Sequence, residues 1–296
     1  MKKIARTEPL DVNEIFEKRV YEGPDGDTLP YRLYIPKHYD CGEYYPLVLF
    51  LHGSGEKGTD NEDQIRVGLP AAFLDPASPV YDAIVVAPQC PNGAKWVNVE
   101  WEEGNFACSA TPEAKPLAMA RGILEELKTE LNVDEDRVYV TGLSMGGFGT
   151  WDLLTRHGSL FAAGMPVCGC GDPSYARLLR RIPIRSFHGS EDDAVPVSGD
   201  REMFEAIRRA GGTLIDYTEF DGAGHFIWDT VYGDTENWTW LFRQSREARR
   251  LAAERKSRFG KTAAVGGGAL AAFLVLLSVV KTRQAERERK KRESEK

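Results

Sequence analysis

The chain has 296 residues, of which 42% are hydrophobic and 10% aromatic, so it is long enough and apolar enough to bury a core. Its net charge of −7 divides unevenly, because residues 243–296 carry 16 Lys and Arg against 6 Asp and Glu. The rest of the chain is therefore strongly acidic, which excludes nucleic acid as an expected partner. The five cysteines lack metal-binding or redox spacing, and we predict that all five are core thiols in a reducing compartment.

The first part of the chain predicts a hairpin and two buried strands. Two extended runs between residues 17 and 34 surround the turn Gly-Pro-Asp-Gly-Asp. Leu47–Leu51 and Ile84–Ala87 are uniformly apolar, as is typical of strands that are buried on both faces of a parallel sheet. A helix is predicted over residues 112–131, with Thr111 as its N-cap and Pro112 in its first turn.

Strands and helices alternate through the second half of the chain. The predicted strands cover residues 137–140, 161–167, 182–187 and 214–220, and the predicted helices cover residues 150–157, 201–210 and 234–250. Such alternation predicts the α/β class, with a mainly parallel sheet and helices on both of its faces. We assign residues 1–242, including the N-terminal hairpin, to one domain.

The segment Gly142-Leu143-Ser144-Met145-Gly146 lies between a predicted strand and a predicted helix. It fits the pattern G-x-S-x-G, in which a sharp and strained turn raises the serine hydroxyl above the sheet. The residues two before and two after the serine then pack so closely that a Cβ would clash, which explains both glycines. We therefore predict that Ser144 is a nucleophile; the alternative is a glycine-rich turn with an incidental serine.

A serine nucleophile needs a base and an acid that orients the base. His225 is the candidate base, because it follows the last predicted strand in a glycine-rich loop and lies downstream of the serine. The acid is expected in the loop after residues 182–187, because the carboxyl ends of strands are where ligands bind in α/β sheets. In that loop Glu191, Asp192 and Asp193 all qualify by their chemistry.

The reaction also needs two backbone N–H groups that point at one oxyanion. Met145, the residue after the nucleophile, is expected to supply one of them. The other is expected from the loop after Leu47–Leu51, which reads His52-Gly53-Ser54-Gly55-Glu56. A plain glycine turn is the alternative interpretation of that loop.

These motifs together resemble the dienelactone-hydrolase-like and polyhydroxybutyrate-depolymerase-like esterases of the α/β-hydrolase superfamily, which include carbohydrate and feruloyl esterases. The resemblance covers roughly residues 28–243 and rests on Gly-Leu-Ser-Met-Gly-Gly, His-Gly-x-x-Asp-x-x-Val-Pro and Gly-x-x-His. It implies that Asp192 is the catalytic acid, with Asp193 as the alternative, and that Ser54 is the second oxyanion donor.

The resemblance also implies an α/β-hydrolase fold and a serine esterase that cleaves a small-molecule carboxylic ester through an acyl-enzyme. The alternatives are a peptidase or thioesterase with the same triad, and a non-catalytic scaffold. No metal-binding spacing occurs in the chain, and we predict no metal or other cofactor. The sequence does not determine the oligomeric state.

Residues 56–61 and Trp96 also resemble these esterases. Residues 56–61, Glu-Lys-Gly-Thr-Asp-Asn, match the continuation of the oxyanion loop, and they are predicted either to contact polar substrate groups or to clamp the structure. On the first interpretation Glu56 binds substrate. Trp96 is predicted to roof the substrate pocket, with a position in the core as the alternative.

The C-terminal part of the chain predicts a membrane tether. We assign residues 243–262 to a charged helical stalk, residues 263–280 to a transmembrane helix and residues 281–296 to a basic tail. The 18 residues without a charge would nearly span a hydrocarbon core of roughly 30 Å, and a buried core helix is the alternative. Because no apolar run follows Met1, we expect no cleaved export signal and a cytoplasmic catalytic domain.

Overall fold

The computed structural model describes residues 11–254. The chain divides into two units, Met1–Arg246 and Glu247–Lys296. In the second unit residues 247–254 are helical, whereas the predicted transmembrane helix and basic tail lie outside the described residues. None of the helices in the described range is long and apolar enough to cross a membrane.

The first unit contains one eight-stranded sheet, with strand order β1-β2-β4-β3-β5-β6-β7-β8. The strands are β1 (Glu17–Glu22), β2 (Thr28–Tyr34), β3 (Tyr45–Leu51), β4 (Ile84–Pro88), β5 (Val133–Leu143), β6 (Ala163–Val167), β7 (Ile184–Gly189) and β8 (Ile215–Phe220). β2 pairs antiparallel with β1 and β4, and all other pairs are parallel. The predicted hairpin and mainly parallel sheet are therefore confirmed.

Eight α-helices surround this sheet within residues 11–246. They are α1 (Val12–Ile15), α2 (Leu69–Ala72), α3 (Lys115–Glu130), α4 (Met145–His157), α5 (Ala176–Leu179), α6 (Val197–Arg209), α7 (Trp228–Gly233) and α8 (Thr235–Phe242). Both faces of the sheet are covered, and β3 shows this most clearly because all seven of its residues are buried. Leu47, Leu49 and Leu51 enter the core that α3 covers, and Val48 and Phe50 enter the core that α7 and α8 cover.

The prediction for the start of α3 was wrong. The helix begins at Lys115, its N-cap is Ala114 without a side-chain hydrogen bond, and the proline in its first turn is Pro116 rather than Pro112. The carbonyl of Thr111 instead accepts a hydrogen bond from Arg156 of α4. A tertiary contact therefore holds the residues that local capping rules assign to the helix.

The predicted helix over residues 234–250 is interrupted. α8 ends at Phe242, and residues 243–245 are not helical. The hydroxyl of Tyr139 on β5 donates to the carbonyl of Gln244 at 2.7 Å, and this bond holds the interruption against the sheet. The prediction of five core thiols also fails at one position, because Cys41 is exposed while the other four cysteines are buried.

Candidate active site

Ser144 lies at the sharp turn between β5 and α4. Its φ of 53° and ψ of −118° are strained for a residue with a side chain, and α4 begins at the next residue rather than at Thr150 as predicted. A Cβ at Gly146 would lie 1.9 Å from the carbonyl oxygen of Leu51, and one at Gly142 would lie 2.5 Å from the carbonyl oxygen of Gly146. Backbone therefore passes too close for any side chain at either glycine.

The structure brings Ser144, His225 and Asp192 into one chain of hydrogen bonds. Nε2 of His225 lies 2.8 Å from Oγ of Ser144, and Nδ1 lies 2.7 Å from Oδ2 of Asp192. An ionised carboxylate can only accept, so Nδ1 carries the proton and the lone pair of Nε2 faces the serine hydroxyl. This is the arrangement in which a neutral imidazole can take a proton from a serine.

Asp192, and neither Glu191 nor Asp193, faces the imidazole. Its Oδ1 accepts the backbone N–H groups of Ala194 at 3.0 Å and Val195 at 2.8 Å, whereas Asp193 and Glu191 are exposed. Burial by itself would raise the pKa of Asp192, but hydrogen bonds from two histidines and a backbone N–H outweigh burial and hold it well below its usual range. The carboxylate is therefore ionised at neutral pH.

His225 lies in the loop between β8 and α7. Its ring makes edge contacts with Phe226 and Trp228, at centroid distances of 5.7 and 5.4 Å. The N–H of Glu191 donates to the carbonyl of Ala223 at 2.9 Å, which ties the loop that carries Asp192 to the loop that carries His225. Phe226 is 82% exposed beside the imidazole, and no motif in the sequence marks it.

The buried side chain of His52 holds the loop after β3 in place. Nδ1 of His52 lies 2.6 Å from the carbonyl oxygen of Gly53, and Nε2 accepts the N–H of Cys90 at 2.9 Å. Burial lowers the pKa of His52 to about 4, so its ring is neutral with the proton on Nδ1. Because the peptide is planar and trans, this bond turns the N–H of Ser54 in the opposite direction, away from His52.

This loop lies beside the serine. A Cβ at Gly53 would come within 3.7 Å of Cβ of Ser144. Met145 is the first residue of α4, where an N–H group has no acceptor within the helix. Two backbone donors that the sequence assigns to the oxyanion, those of Ser54 and Met145, thus belong to segments that adjoin Ser144.

Trp96 supports the same loop through contacts with His52. The residue is fully buried, its Nε1 donates to the carbonyl of His52 at 3.0 Å, and its ring meets the imidazole at a centroid distance of 5.3 Å. This is the core position that the sequence left as the alternative. The substrate contact predicted for Trp96 stays a prediction.

Residues 56–61 form a clamp through Gln89, which follows β4. The Gln89 side chain donates to Oδ1 of Asp60 at 2.9 Å and accepts the N–H of Asn61 at 2.8 Å, while Nε of Arg32 donates to the carbonyl of Asn61 at 2.6 Å. Glu56 is half-buried, with Oε2 3.0 Å from where a Cβ at Gly53 would lie, and burial raises its pKa. The segment therefore clamps the structure and also presents a carboxyl group near the serine.

One group of side chains within residues 11–254 offers potential metal ligands close together, namely Cys168, Asp192 and His225 within 4.8 Å. Oδ2 of Asp192 and Nδ1 of His225 are already joined by their hydrogen bond. We therefore assign these atoms to the serine arrangement and no ion to the group.

Two buried residues at this site were not predicted to take part. The sequence analysis assigned no role to His188 or Asp200, yet the two residues contact one another beside Asp192. The only sequence signal was the histidine of His-Gly-x-x-Asp itself. Asp200 follows eight positions after Asp192, and no local pattern connects the two.

Known proteins support the fold that the geometry indicates. The sequence profile of the Prolyl oligopeptidase family matches residues 121–186, which include Ser144. The chain is also similar to a thermostable esterase of known crystal structure, with 35% sequence identity and a TM-score of 0.72. The similarity covers 79% of this chain and 64% of that chain.

Two curated relatives are also esterases by name. The bifunctional acetylxylan esterase/xylanase XynS20E of Neocallimastix patriciarum is 34% identical over 73 residues, which are 25% of this chain and 11% of that protein. The probable feruloyl esterase C of Aspergillus niger is 28% identical over 191 residues, which are 59% of each chain. The chain thus spans between 11% and 59% of the length of these two relatives.

The sheet, the turn at Ser144 and the similarity to the thermostable esterase show that the chain has the α/β-hydrolase fold. The chain is similar to proteins that are named as esterases, as the sequence motifs predicted.

Proposed function

We propose that the protein is a serine hydrolase that cleaves carboxylic esters through Ser144, His225 and Asp192. The observation that carries the proposal is the pair of hydrogen bonds on either side of one imidazole, 2.8 Å to the serine hydroxyl and 2.7 Å to the carboxylate. A base that is oriented by an acid and faces a hydroxyl is the arrangement that activates a serine nucleophile.

The reaction begins when Nε2 of His225 takes the proton of Ser144 and Oγ attacks the ester carbonyl. The tetrahedral oxyanion accepts hydrogen bonds from the N–H groups of Met145 and Ser54, each contribution of this kind being worth about 3 to 4 kcal/mol in the transition state. The imidazolium, stabilised by Asp192, then protonates the leaving alkoxide and leaves an acyl-enzyme. His225 next activates water, which releases the carboxylic acid and restores the serine.

The substrate is proposed to be a small-molecule ester. The esterase names of the relatives support this class. Glu56 contributes a carboxyl group near Ser144 that is suited to polar substituents on such an ester, and Phe226 contributes an exposed aromatic face beside His225. The same triad chemistry serves amides, and the match to the Prolyl oligopeptidase family makes a peptidase the second candidate.

The test compares Ser144→Ala with Ser109→Ala, which changes an exposed serine far along the chain. Hydrolysis of p-nitrophenyl acetate should fall at least about 10³-fold in the first variant and stay unchanged in the second. Labelling by a fluorophosphonate probe should disappear only in the Ser144 variant. Undiminished turnover in folded Ser144→Ala protein would reject the proposal, and no labelling of the unmutated protein would favour a scaffold.

A panel of acyl substrates distinguishes the hydrolase classes. We expect kcat/KM for p-nitrophenyl esters to exceed that for the matching p-nitroanilides and thioesters. A preference for the anilides would favour the peptidase instead. Residues 263–280 are proposed to tether this activity to a membrane, on the basis of their uncharged sequence.

A further inference from the structure

His188 is the second-to-last residue of β7 and is completely buried between two carboxylates. Its Nε2 lies 3.2 Å from Oδ2 of Asp192, and its Nδ1 lies 2.9 Å from Oδ2 of Asp200. The side chains of all three residues are 0% exposed. Asp200 also accepts the indole N–H of Trp151 at 3.2 Å, so the group continues into α4.

Both ring nitrogens of His188 face acceptors. Besides Asp192, Nε2 faces the carbonyl oxygen of Val195 at 3.1 Å, and Nδ1 faces the carboxylate of Asp200. A neutral imidazole has one N–H group and would direct a lone pair at one of these oxygens. The doubly protonated ring donates to all of them, so the geometry favours an imidazolium.

The electrostatics of the site agree with that assignment. Burial alone would lower the pKa of His188, but hydrogen bonds to Asp192 and Asp200 and the charge of Asp200 together raise it to about 10. Burial raises the pKa of Asp200, and the hydrogen bonds from His188 and from Trp151, which donates to the other oxygen, oppose that rise. His188 is thus paired on both sides at neutral pH.

His188 and His225 contact the same oxygen of Asp192. Oδ2 of Asp192 accepts from Nδ1 of His225 at 2.7 Å and from Nε2 of His188 at 3.2 Å. Two imidazoles therefore share one carboxylate oxygen. Negative charge that His188 neutralises at this oxygen no longer stabilises the protonated form of His225.

We propose that His188, held as an imidazolium by Asp200, is a positioning residue of the hydrolytic site that restrains the basicity of Asp192 and so keeps His225 unprotonated at lower pH. This rests on the proposed function, because it concerns the same reaction. His188 touches no reacting atom and acts only through Asp192.

The other ionisable groups near His188 are either uncharged or paired with another residue. Cys168 and Cys170 follow β6 and interact electrostatically with Asp192 and Asp200, but burial raises the pKa of both thiols, so they are uncharged. On β8, Glu219 is bound by Arg201 at 2.6 Å, and the pKa of Tyr217 is raised by burial, so its hydroxyl is neutral. The titratable groups around His188 and its two carboxylates are thus Asp192, Asp200, Cys168, Cys170, Tyr217 and Glu219.

Asp200→Asn removes the charge and keeps the hydrogen bonds. Asn can accept the Trp151 N–H through its oxygen and donate its amide N–H to Nδ1 of a neutral His188, whose Nε2–H still faces Asp192. We expect the acid limb of kcat/KM against pH to move up by about 0.5 to 1 pH unit, which is about a 3- to 10-fold loss at low pH. The plateau at higher pH should remain.

His188→Gln is the second variant, because it removes the charge and retains an amide donor, and its acid limb should move in the same direction. Glu202→Gln is the matched control, since it removes an exposed carboxylate from the same helix, and its profile should match that of the unmutated protein. Folding of each variant is followed by its melting temperature.

Two results would overturn the inference. One is an Asp200→Asn profile that coincides with that of the unmutated protein, which would mean that His188 is already neutral. The other is a lowered plateau with an unmoved acid limb and a lowered melting temperature, which would mean a purely structural role. Either result leaves the proposed hydrolase intact as long as Ser144→Ala is inactive, whereas activity in Ser144→Ala would remove the reaction itself.

Discussion

Gly146→Ala should disable the site without touching any of its polar groups. The new Cβ would lie 1.9 Å from the carbonyl oxygen of Leu51, 2.5 Å from the carbonyl carbon of Leu51 and 2.8 Å from the carbonyl oxygen of His52. Against an ordinary contact distance of 3.4 Å, the first contact is short by about 1.5 Å. All three atoms belong to backbone, so no side-chain rotation can relieve the clash.

The displacement falls on the oxyanion loop. Leu51 ends β3, and the next residues carry the Ser54 N–H, so either this loop or the start of α4 must move away from Ser144. A misplacement of about 1 Å can cost about 10²-fold in rate, and overpacking costs about 1 to 3 kcal/mol. For a protein of this size, that loss of stability corresponds to a melting temperature lower by about 2 to 12 °C.

The assay is hydrolysis of p-nitrophenyl acetate together with thermal unfolding, and Gly55→Ala is the matched control. Nothing lies within 4 Å of a Cβ at Gly55, which follows Ser54 in the same loop. We expect the control to keep its melting temperature and to stay within about 3-fold of the original rate. If Gly146→Ala kept both its rate and its melting temperature, the close approach of β3 to this turn would be refuted.

Asp192→Asn should lower kcat by about 10³- to 10⁴-fold, because the amide stabilises the wrong tautomer of His225, while Asp193→Asn should stay near the original rate. Steady-state kinetics of the two neighbouring variants decide which carboxylate orients the base, and equal losses would contradict the assignment to Asp192. For the C-terminal part of the chain, we expect the 296-residue protein to sediment with membranes and to resist carbonate extraction. Release by carbonate would contradict a transmembrane segment over residues 263–280.

Local sequence patterns were sufficient to predict most strands of the sheet. β3 and β4 are predictable because a strand that is covered on both faces must be apolar at nearly every position, and their sequences satisfy that condition. The turn at Ser144 is also predictable from its sequence. Both glycines are required, because a Cβ at either position would lie within 2.6 Å of backbone atoms. The start of α3 and the interruption after α8 were not predictable, since Arg156 and Tyr139 reach those residues from distant elements.

By itself the sequence determined the α/β class, the strand-turn-helix around Ser144 and the order serine, acid, histidine, because each depends on neighbours along the chain or on a short motif. The tertiary structure decided that Asp192 rather than Asp193 faces His225, and that Trp96 lies in the core. It also decided that His188 and Asp200 lie beside Asp192. Those choices depend on which side chain of a loop is directed toward the sheet, and that direction is set by hydrogen bonds between segments that are far apart in sequence.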